Sequence, residues 1–291
     1  MDFVGDIYRP PSEAQSILLQ ITVGCSHNAC TFCSMYKAKR FSVKSQETVF
    51  RDIDEAARLY QGIPRLFLCD GDAMVLSTEK LITILVRIRE RMPWIRRISA
   101  YADSVSICRK SLEELKALKE HGLSLLYHGV ESGSDTVLTS VNKGSSVADA
   151  IQAASLLREA HISHSVMFLL GLGGVKYSPE HAMNSGQLLS RINPTFASAL
   201  TLTLVPGTPL YQNAQNGQFE PLEAFALVKE LRTLLEHTQV TQCQFAANHA
   251  SNYLPIKGRL PEDLPKMLAT LDEILATRDN RKLVPEWMRG L

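Results

Sequence analysis

The sequence lacks any excess of charge: 31 Lys and Arg against 30 Asp and Glu leave a formal net charge of +1. Its basic residues form no block longer than a few positions. Bulk electrostatics therefore point to neither nucleic acid nor an anionic membrane as a partner. Long apolar runs are missing too. The longest, SVMFLLGLGGV at 165–175, is too short to span a bilayer and is broken by three glycines. Residues 1–16, MDFVGDIYRPPSEAQS, have neither the basic region nor the apolar stretch of a signal peptide, so a cytoplasmic location is expected. Cysteine is scarce, with six in the chain, and a cytoplasmic protein neither needs disulfides nor keeps them oxidised. There is no Gly/Ser/Pro-rich linker, internal repeat or low-complexity tract.

What remains is a globular composition, with 45% hydrophobic and 21% charged residues, enough for a sizeable core. Short β-rich runs alternate with longer amphipathic stretches. The runs are SILLQITV (16–23), RLFLC (65–69), RRISAY (96–101), SLLYHGV (124–130), SHSVMFLL (163–170) and FASALTLTLV (196–205). Between them apolar residues recur at helical spacing, as with Val49, Ile53, Ala56, Ala57 and Tyr60. Ser77 and Ser111 supply capping chemistry, Pro93 stops one helix and Gly122 another. Each gap is long enough for a helical crossover. Six βα units with right-handed crossovers predict an α/β fold, a partial (β/α)6 TIM-like barrel of parallel strands, with an open doubly wound sheet as the alternative. The pattern predicts an N-terminal segment at 1–14, a core barrel at 15–215 and a C-terminal extension at 216–291. That extension is expected to be helical and extended, and to pack on the core.

The unusual residues fall at the ends of these runs. Cys25 follows the first, Gly71 and Asp72 the second, Tyr101 and Asp103 the third, and Glu131 the fourth. Gly171, Gly173 and Gly174 follow the fifth, and Pro206 and Gly207 the sixth. Parallel β/α folds build active sites at the C-terminal ends of their strands. Three of the six cysteines, Cys25, Cys30 and Cys33, lie within nine positions in the loop GCSHNACTFC, as C-x4-C-x2-C. A structural zinc site needs four ligands, and the only candidate fourth is His27 inside the same loop. An ordinary four-cysteine cluster needs another cysteine at short range. Three ligands and one vacancy fit a [4Fe–4S] cluster with one iron left open. Cys69, Cys108 and Cys243 read as ordinary thiols.

The loop resembles that of the radical S-adenosylmethionine (radical SAM) enzymes, whose commonest form is C-x3-C-x2-C with an aromatic before the last cysteine. Phe32 occupies the aromatic position, and the first spacing is one residue longer than usual. FLCDGDAM (67–74) is similar to the glycine-rich segment that meets the cofactor's methionyl amino group. GVESGSDTVLTSVNKG (129–144) resembles the strand-four segment of the HemN-like and methylthiotransferase-like branch. MFLLGLGG (167–174) and LVPGTPLY (204–211) are similar to its later segments. The resemblance runs from about residue 15 to 215. It implies Cys25, Cys30 and Cys33 as cluster ligands, and Phe32, Gly71, Asp72, Glu131, Lys143 and Met167 as cofactor neighbours. Glu131 would meet ribose, Lys143 the carboxylate and Met167 the adenine. It also implies an oxygen-sensitive enzyme that uses the reduced cluster to cleave SAM. The products would be methionine and a 5′-deoxyadenosyl radical, which would abstract hydrogen from a substrate. The electron would come from a low-potential donor of flavodoxin or ferredoxin type.

Blander roles compete at several positions. Asp72 could cap the next helix, Glu131 could be a helix-entry acid, Lys143 a surface lysine and Met167 core filler. On the substrate side the candidates are Tyr101, Tyr127, His249 and Asn252, the last two in the polar strip NHASNY (248–253). Strand alternation predicts that Tyr127 points with Glu131 and that His128 points away. The substrate, a small molecule or a peptide, is not named by the sequence. Two other readings stand beside the enzyme: a non-catalytic haem- or metal-handling protein that retains the cluster, and a zinc-stabilised interaction protein.

Overall fold

Helices begin where side-chain oxygens can satisfy the first unpaired amides. Ser45 accepts from Thr48 N at 3.1 Å and opens α1 (Gln46–Leu59), whose buried face is Val49, Ile53, Ala56 and Ala57. Ser77 caps α2 (Thr78–Arg91), which ends ahead of Pro93. Asp103 caps the short α3 (Ser104–Cys108). Ser111 and Glu114 form the reciprocal capping box of α4 (Leu112–Glu120). Gly122 follows at φ +110°, a conformation that favours glycine.

The computed structural model describes residues 1–290 and comprises two compact units. The first holds Met1–Asn28, Met35–His128 and Ser155–His164. In it β1 (Ile17–Gln20) pairs in parallel with β2 (Arg65–Cys69), and β2 with β3 (Arg97–Ala102). β3 pairs in parallel with the first part of β4 (Leu123–Glu131). The predicted first strand is interrupted at Ile21, because Thr22–Val23 leave the sheet to pair antiparallel with Ser42–Val43. β5 (Ser163–Leu170) starts in this unit and continues into the second.

The second unit holds Ala29–Ser34, Gly129–Ala154 and the chain from Ser165 onward. It contains α5 (Asp135–Ser140), most of α6 (Val147–Glu159), α7 (Gly174–Ile192) and β6 (Phe196–Thr201). α8 (Pro209–Gln215) and α9 (Ala224–Glu236) come next. β6 is parallel to β5 and stops at Thr201, four residues short of the predicted end. The stretch after α9 is more ordered than an extended connection. Cys243–Ala247 form β7, parallel to β6, and Ile256–Leu260 form β8, antiparallel to β7. α10 (Leu264–Thr277) completes the unit. Within each unit, neighbours in the sheet are neighbours in sequence, and among the described residues this α/β fold has eight main strands instead of six.

Side-chain alternation explains the two added strands. Cys243, Phe245 and Ala247 are buried while Gln244 is exposed, and in β8 Ile256 and Leu260 are buried while Lys257 and Arg259 face water. Such one-sided alternation suits an antiparallel edge, where charged side chains discourage further pairing. Phe245 joins Phe168, Leu189, Leu234, Leu235 and Leu271 in the core of this unit. Phe245→Ala should therefore lower unfolding free energy by about 3–5 kcal/mol, as for other buried aromatics. Urea denaturation of the cluster-free protein measures it. A loss within about 0.5 kcal/mol, the range of peripheral changes, would remove β7 from the core.

Candidate active site

Every feature of the cysteine loop's first half is tied to the end of β2. Asp70 is fully buried, and its Oδ2 accepts from Gly24 N at 2.7 Å and from Gln20 Nε2 at 2.8 Å. Lys39, at the far side of the loop and itself buried, lies 3.2 Å from both Asp70 oxygens. Gly71 N donates back to Gly24 O at 3.0 Å. A side chain at Gly71 has no room: a Cβ there would sit 2.6 Å from Cys25 Cβ and 3.1 Å from its Sγ. One position on, Ser26 Oγ donates to Asp72 Oδ2 at 3.1 Å.

Asp72 is 1% exposed and holds two further donors, Met74 N at 3.1 Å and Ser106 Oγ at 2.9 Å, on Oδ1. Burial is the largest influence on its carboxyl and the neighbouring Asp103 adds to it, pushing the pKa up to about 7. It caps the short turn Ala73–Val75 and at the same time braces Ser26 next to Cys25.

The loop's second half, Ala29–Ser34, belongs to the second unit. Thr31 N donates to Val141 O at 2.9 Å and Leu210 N to Thr31 O at 3.0 Å, which fixes the loop between the end of α5 and the start of α8. Phe32 packs on Val137, Val141, Leu172 and Leu210. Cys25, Cys30 and Cys33 are all partly exposed, and none is in a disulfide. Cys69 and Cys243 are buried, and burial pushes both thiols up to about 12, as inert core cysteines.

At the end of β4, Glu131 takes φ +67°. Its carboxylate lies 3.6 Å from Lys143 Nζ, with both side chains mostly buried. Gly129 makes room for it, since a Cβ at that position would fall 2.2 Å from Glu131 Oε1. Met167 is half-buried on β5. Behind Glu131, Ser132 Oγ lies 2.8 Å from His181 Nδ1, and His181 Nε2 lies 3.7 Å from Glu230 Oε1. Glu230 in turn accepts from Gly171 N and Ser178 Oγ. Burial pushes Glu230 up to about 7 and His181 down to about 4, so near neutrality the imidazole is uncharged.

The substrate candidates fare differently. Tyr127 is buried, edge-on to Phe67 and Tyr101, and its hydroxyl is committed to Glu13 at 2.7 Å and Ser12 at 2.7 Å. Burial raises the phenol pKa of both Tyr127 and Tyr101. His128 does point elsewhere, with Nε2 2.7 Å from Ser104 Oγ and its ring stacked on His164. Asn252 is 4% exposed; its Nδ2 donates to Ala199 O at 2.9 Å and its Oδ1 accepts from Thr201 Oγ1 at 2.8 Å. These bonds hold the 249–252 turn on β6. His249 Nδ1 receives Ser251 N at 3.1 Å and lies 2.9 Å from Ser251 Oγ, and burial lowers its pKa.

Sequence reasoning missed Asp70, Lys39, Glu13, His181 and Glu230. Glu13 is fully buried and bonds Arg97 and Ser99 as well as Tyr127. No spacing in PPSEAQS signals that role. Among the described residues, no three of His, Cys, Asp and Glu converge on a position for a single metal ion.

Similarity to known proteins gives the class. Residues 19–185, more than half of the chain, match the Radical SAM superfamily model, and the chain belongs to that superfamily. Enzymes of that superfamily use a [4Fe–4S] cluster and SAM as cofactors. Among curated relatives it is 25% identical over 198 residues to an uncharacterised methyltransferase of Pyrococcus horikoshii, covering 66% of this chain and 40% of the relative. It is 21% identical to a putative methylthiotransferase of Methanocaldococcus jannaschii, covering 57% of this chain and 37% of the relative. It therefore spans well under half the length of these relatives. Among solved structures, Escherichia coli coproporphyrinogen III oxidase (HemN) has the same fold, with a TM-score of 0.57 at 19% identity over 76% of this chain and 52% of that one. The methyltransferase TsrM of Kitasatospora setae gives 0.56 at 20% identity over 69% and 39%.

The buried charges can be tested by substitution. Asp70→Asn or Lys39→Met alone leaves one partner stranded and should cost about 3–5 kcal/mol, while the double variant recovers part of that loss. Chemical denaturation of the cluster-free proteins reads the cycle; additive losses would mean the pair is not coupled. Glu230 binds its proton more tightly folded than unfolded, so the stability it lends is full below about pH 4.5 and is lost as pH rises to about 7. Glu230→Gln cannot ionise and should gain on the parent protein between pH 5 and pH 8, on the order of 1–3 kcal/mol. Melting curves at the two pH values test this, and a constant difference would refute it.

Proposed function

We propose that Cys25, Cys30 and Cys33 hold the [4Fe–4S] cluster through three of its irons, and that the fourth iron is left for SAM. One observation carries the reading: three partly exposed thiols sit on one short loop inside the matched region, none spent in a disulfide. The fit of Gly71 over Cys25 supports it, because any side chain there would occupy the space beside the sulfur. When bound and reduced, the cluster would supply the electron for reductive cleavage of SAM, the source of a radical able to take hydrogen from substrate carbon.

The chain's own residues bind and orient. Phe32, next to the last cysteine in sequence, packs on an apolar cluster of Val137, Val141, Leu172 and Leu210. The backbone at Gly71, and Asp72 through Ser26, keep Cys25 in place and offer acceptors for the cofactor's amine. Glu131 can accept from ribose hydroxyls, and Lys143 balances its charge and can reach a carboxylate. Met167 offers a flat apolar contact for adenine. A low-potential protein of flavodoxin or ferredoxin type would deliver the electron to the partly exposed loop. Relatives are named for three different reactions, as methyltransferase, methylthiotransferase and cyclase. The proposal is therefore confined to the shared step, with a small molecule or peptide as substrate. Among the described residues no helix is long and apolar enough to cross a membrane.

Anaerobic reconstitution with iron and sulfide should give a brown protein that forms 5′-deoxyadenosine from SAM on addition of dithionite. Cys30→Ala should lose chromophore and product together. Glu131→Gln should keep the chromophore and bind SAM about tenfold more weakly, as when a charge-assisted hydrogen bond is lost. A loaded cluster that binds SAM yet yields no 5′-deoxyadenosine would favour the non-catalytic cluster protein.

A further inference from the structure

Glu131 is the last residue of β4, and the chain reverses at it within a single residue. Ser132 N donates to Val130 O at 2.8 Å, two residues back, and Glu131 between them has φ +67°. That combination is the positive-φ form of the γ-turn, which is rare and strained for a residue with a Cβ. A strained turn persists only where its surroundings over-determine it. The surroundings here are one face of α7.

Three consecutive residues after the turn are each bonded to that helix. Ser132 Oγ lies 2.8 Å from His181 Nδ1, Gly133 N donates to Ser185 Oγ at 2.9 Å, and Ser134 Oγ donates to Glu180 Oε1 at 2.6 Å. His181 and Ser185 are four apart, so both project from one side of the helix. Neither is exposed at all. Gly133 lies so close to the helix backbone that a Cβ on it would be 2.1 Å from Asn184 O. Ser132 Oγ already accepts from Ser134 N at 3.0 Å. It is also 2.8 Å from His181 Nδ1, so the hydroxyl bonds the imidazole and the following turn at once, while His181 Nε2 faces Glu230.

We propose that this face of α7 is a clamp that holds the Glu131 turn closed, with His181 and Ser185 as positioning residues for the cofactor contact made by Glu131. The clamp itself is independent of any ligand, whereas its consequence for SAM rests on the proposed contact between Glu131 and ribose. Because the turn is one residue long, release of Ser132 lets Glu131 relax to negative φ, which swings its side chain away from Lys143. His181 and Ser185 act through the backbone and do not touch the cofactor.

The test uses His181→Leu, His181→Asn, Ser185→Ala and Glu131→Gln in the full chain. In the cluster-free protein, amide hydrogen exchange at Ser132–Ser134 should be faster in His181→Leu and Ser185→Ala, and unchanged in Glu131→Gln. His181→Asn keeps an acceptor at the Nδ1 position and should restore slow exchange. In the reconstituted protein, SAM titration should show binding weakened about tenfold by His181→Leu and Ser185→Ala, at unchanged iron content. That is the lower end of what loss of a supporting residue does to an ordered site. His181→Asn should recover most of the affinity. Unchanged exchange in Ser185→Ala and His181→Leu overturns the clamp, and if His181→Leu does not fold, Ser185→Ala and His181→Asn decide alone. Faster exchange with unchanged SAM affinity overturns its link to the cofactor. If Glu131→Gln also leaves affinity unchanged, the assignment of Glu131 fails while the clamp stands.

Discussion

Asp70 carries a negative charge into a place from which water is excluded, and three donors from three separate parts of the first unit converge on it: Gly24 N, Gln20 Nε2 and Lys39 Nζ. A charge buried this way is tolerable only when its partners are all present. The consequence is positional. Gly24 and Lys39 stand on either side of the cysteine loop, so a carboxylate that must have both fixes where the loop leaves the sheet and where it returns. Such an ion pair adds little to stability against a well-packed apolar alternative, but it makes the wrong arrangement expensive. Cys25 inherits its place from that requirement, and Gly71 follows from Cys25, because the backbone after Asp70 runs directly over the sulfur.

The cysteine triplet stood out in the sequence because all three residues lie within nine positions. Glu131 was legible through its place at a strand end. Asp70 was not, since CDGDAM offers two aspartates and local chemistry does not distinguish them. Only the fold shows that Asp70 turns toward Gly24 and Lys39 while Asp72 turns toward Ser26, Met74 and Ser106. Glu13 and Glu230 were silent for a similar reason: an acid bonded to residues more than fifty positions away leaves no periodic trace. The strip around Asn252 misled in the opposite direction. Polar residues without periodicity look like a surface, yet here they satisfy the backbone and hydroxyl at the end of β6. The hairpin β7–β8 escaped because five-residue alternation on either side of a polar strip resembles a connection until its pairing is seen.

Backbone strain recurs at the two carboxylates that matter most. Asp70 has φ +69° and Glu131 φ +67°, each at or just past the end of a parallel strand. An L-residue in this region costs free energy that glycine would not. At both positions glycine would ease the backbone and forfeit the carboxylate. A strand that continued straight would carry the side chain onward along its axis, whereas an abrupt reversal turns it within one residue. Strain and side-chain direction are thus one feature in each case, and the polar residues behind them follow as its necessary support. For Asp70 the support is the charge of Lys39; for Glu131 it is the neutral pair of Ser132 and His181. The difference matters physically. A charged support is sensitive to what is buried around it, whereas a buried imidazole held near pKa 4 by desolvation stays uncharged near neutrality.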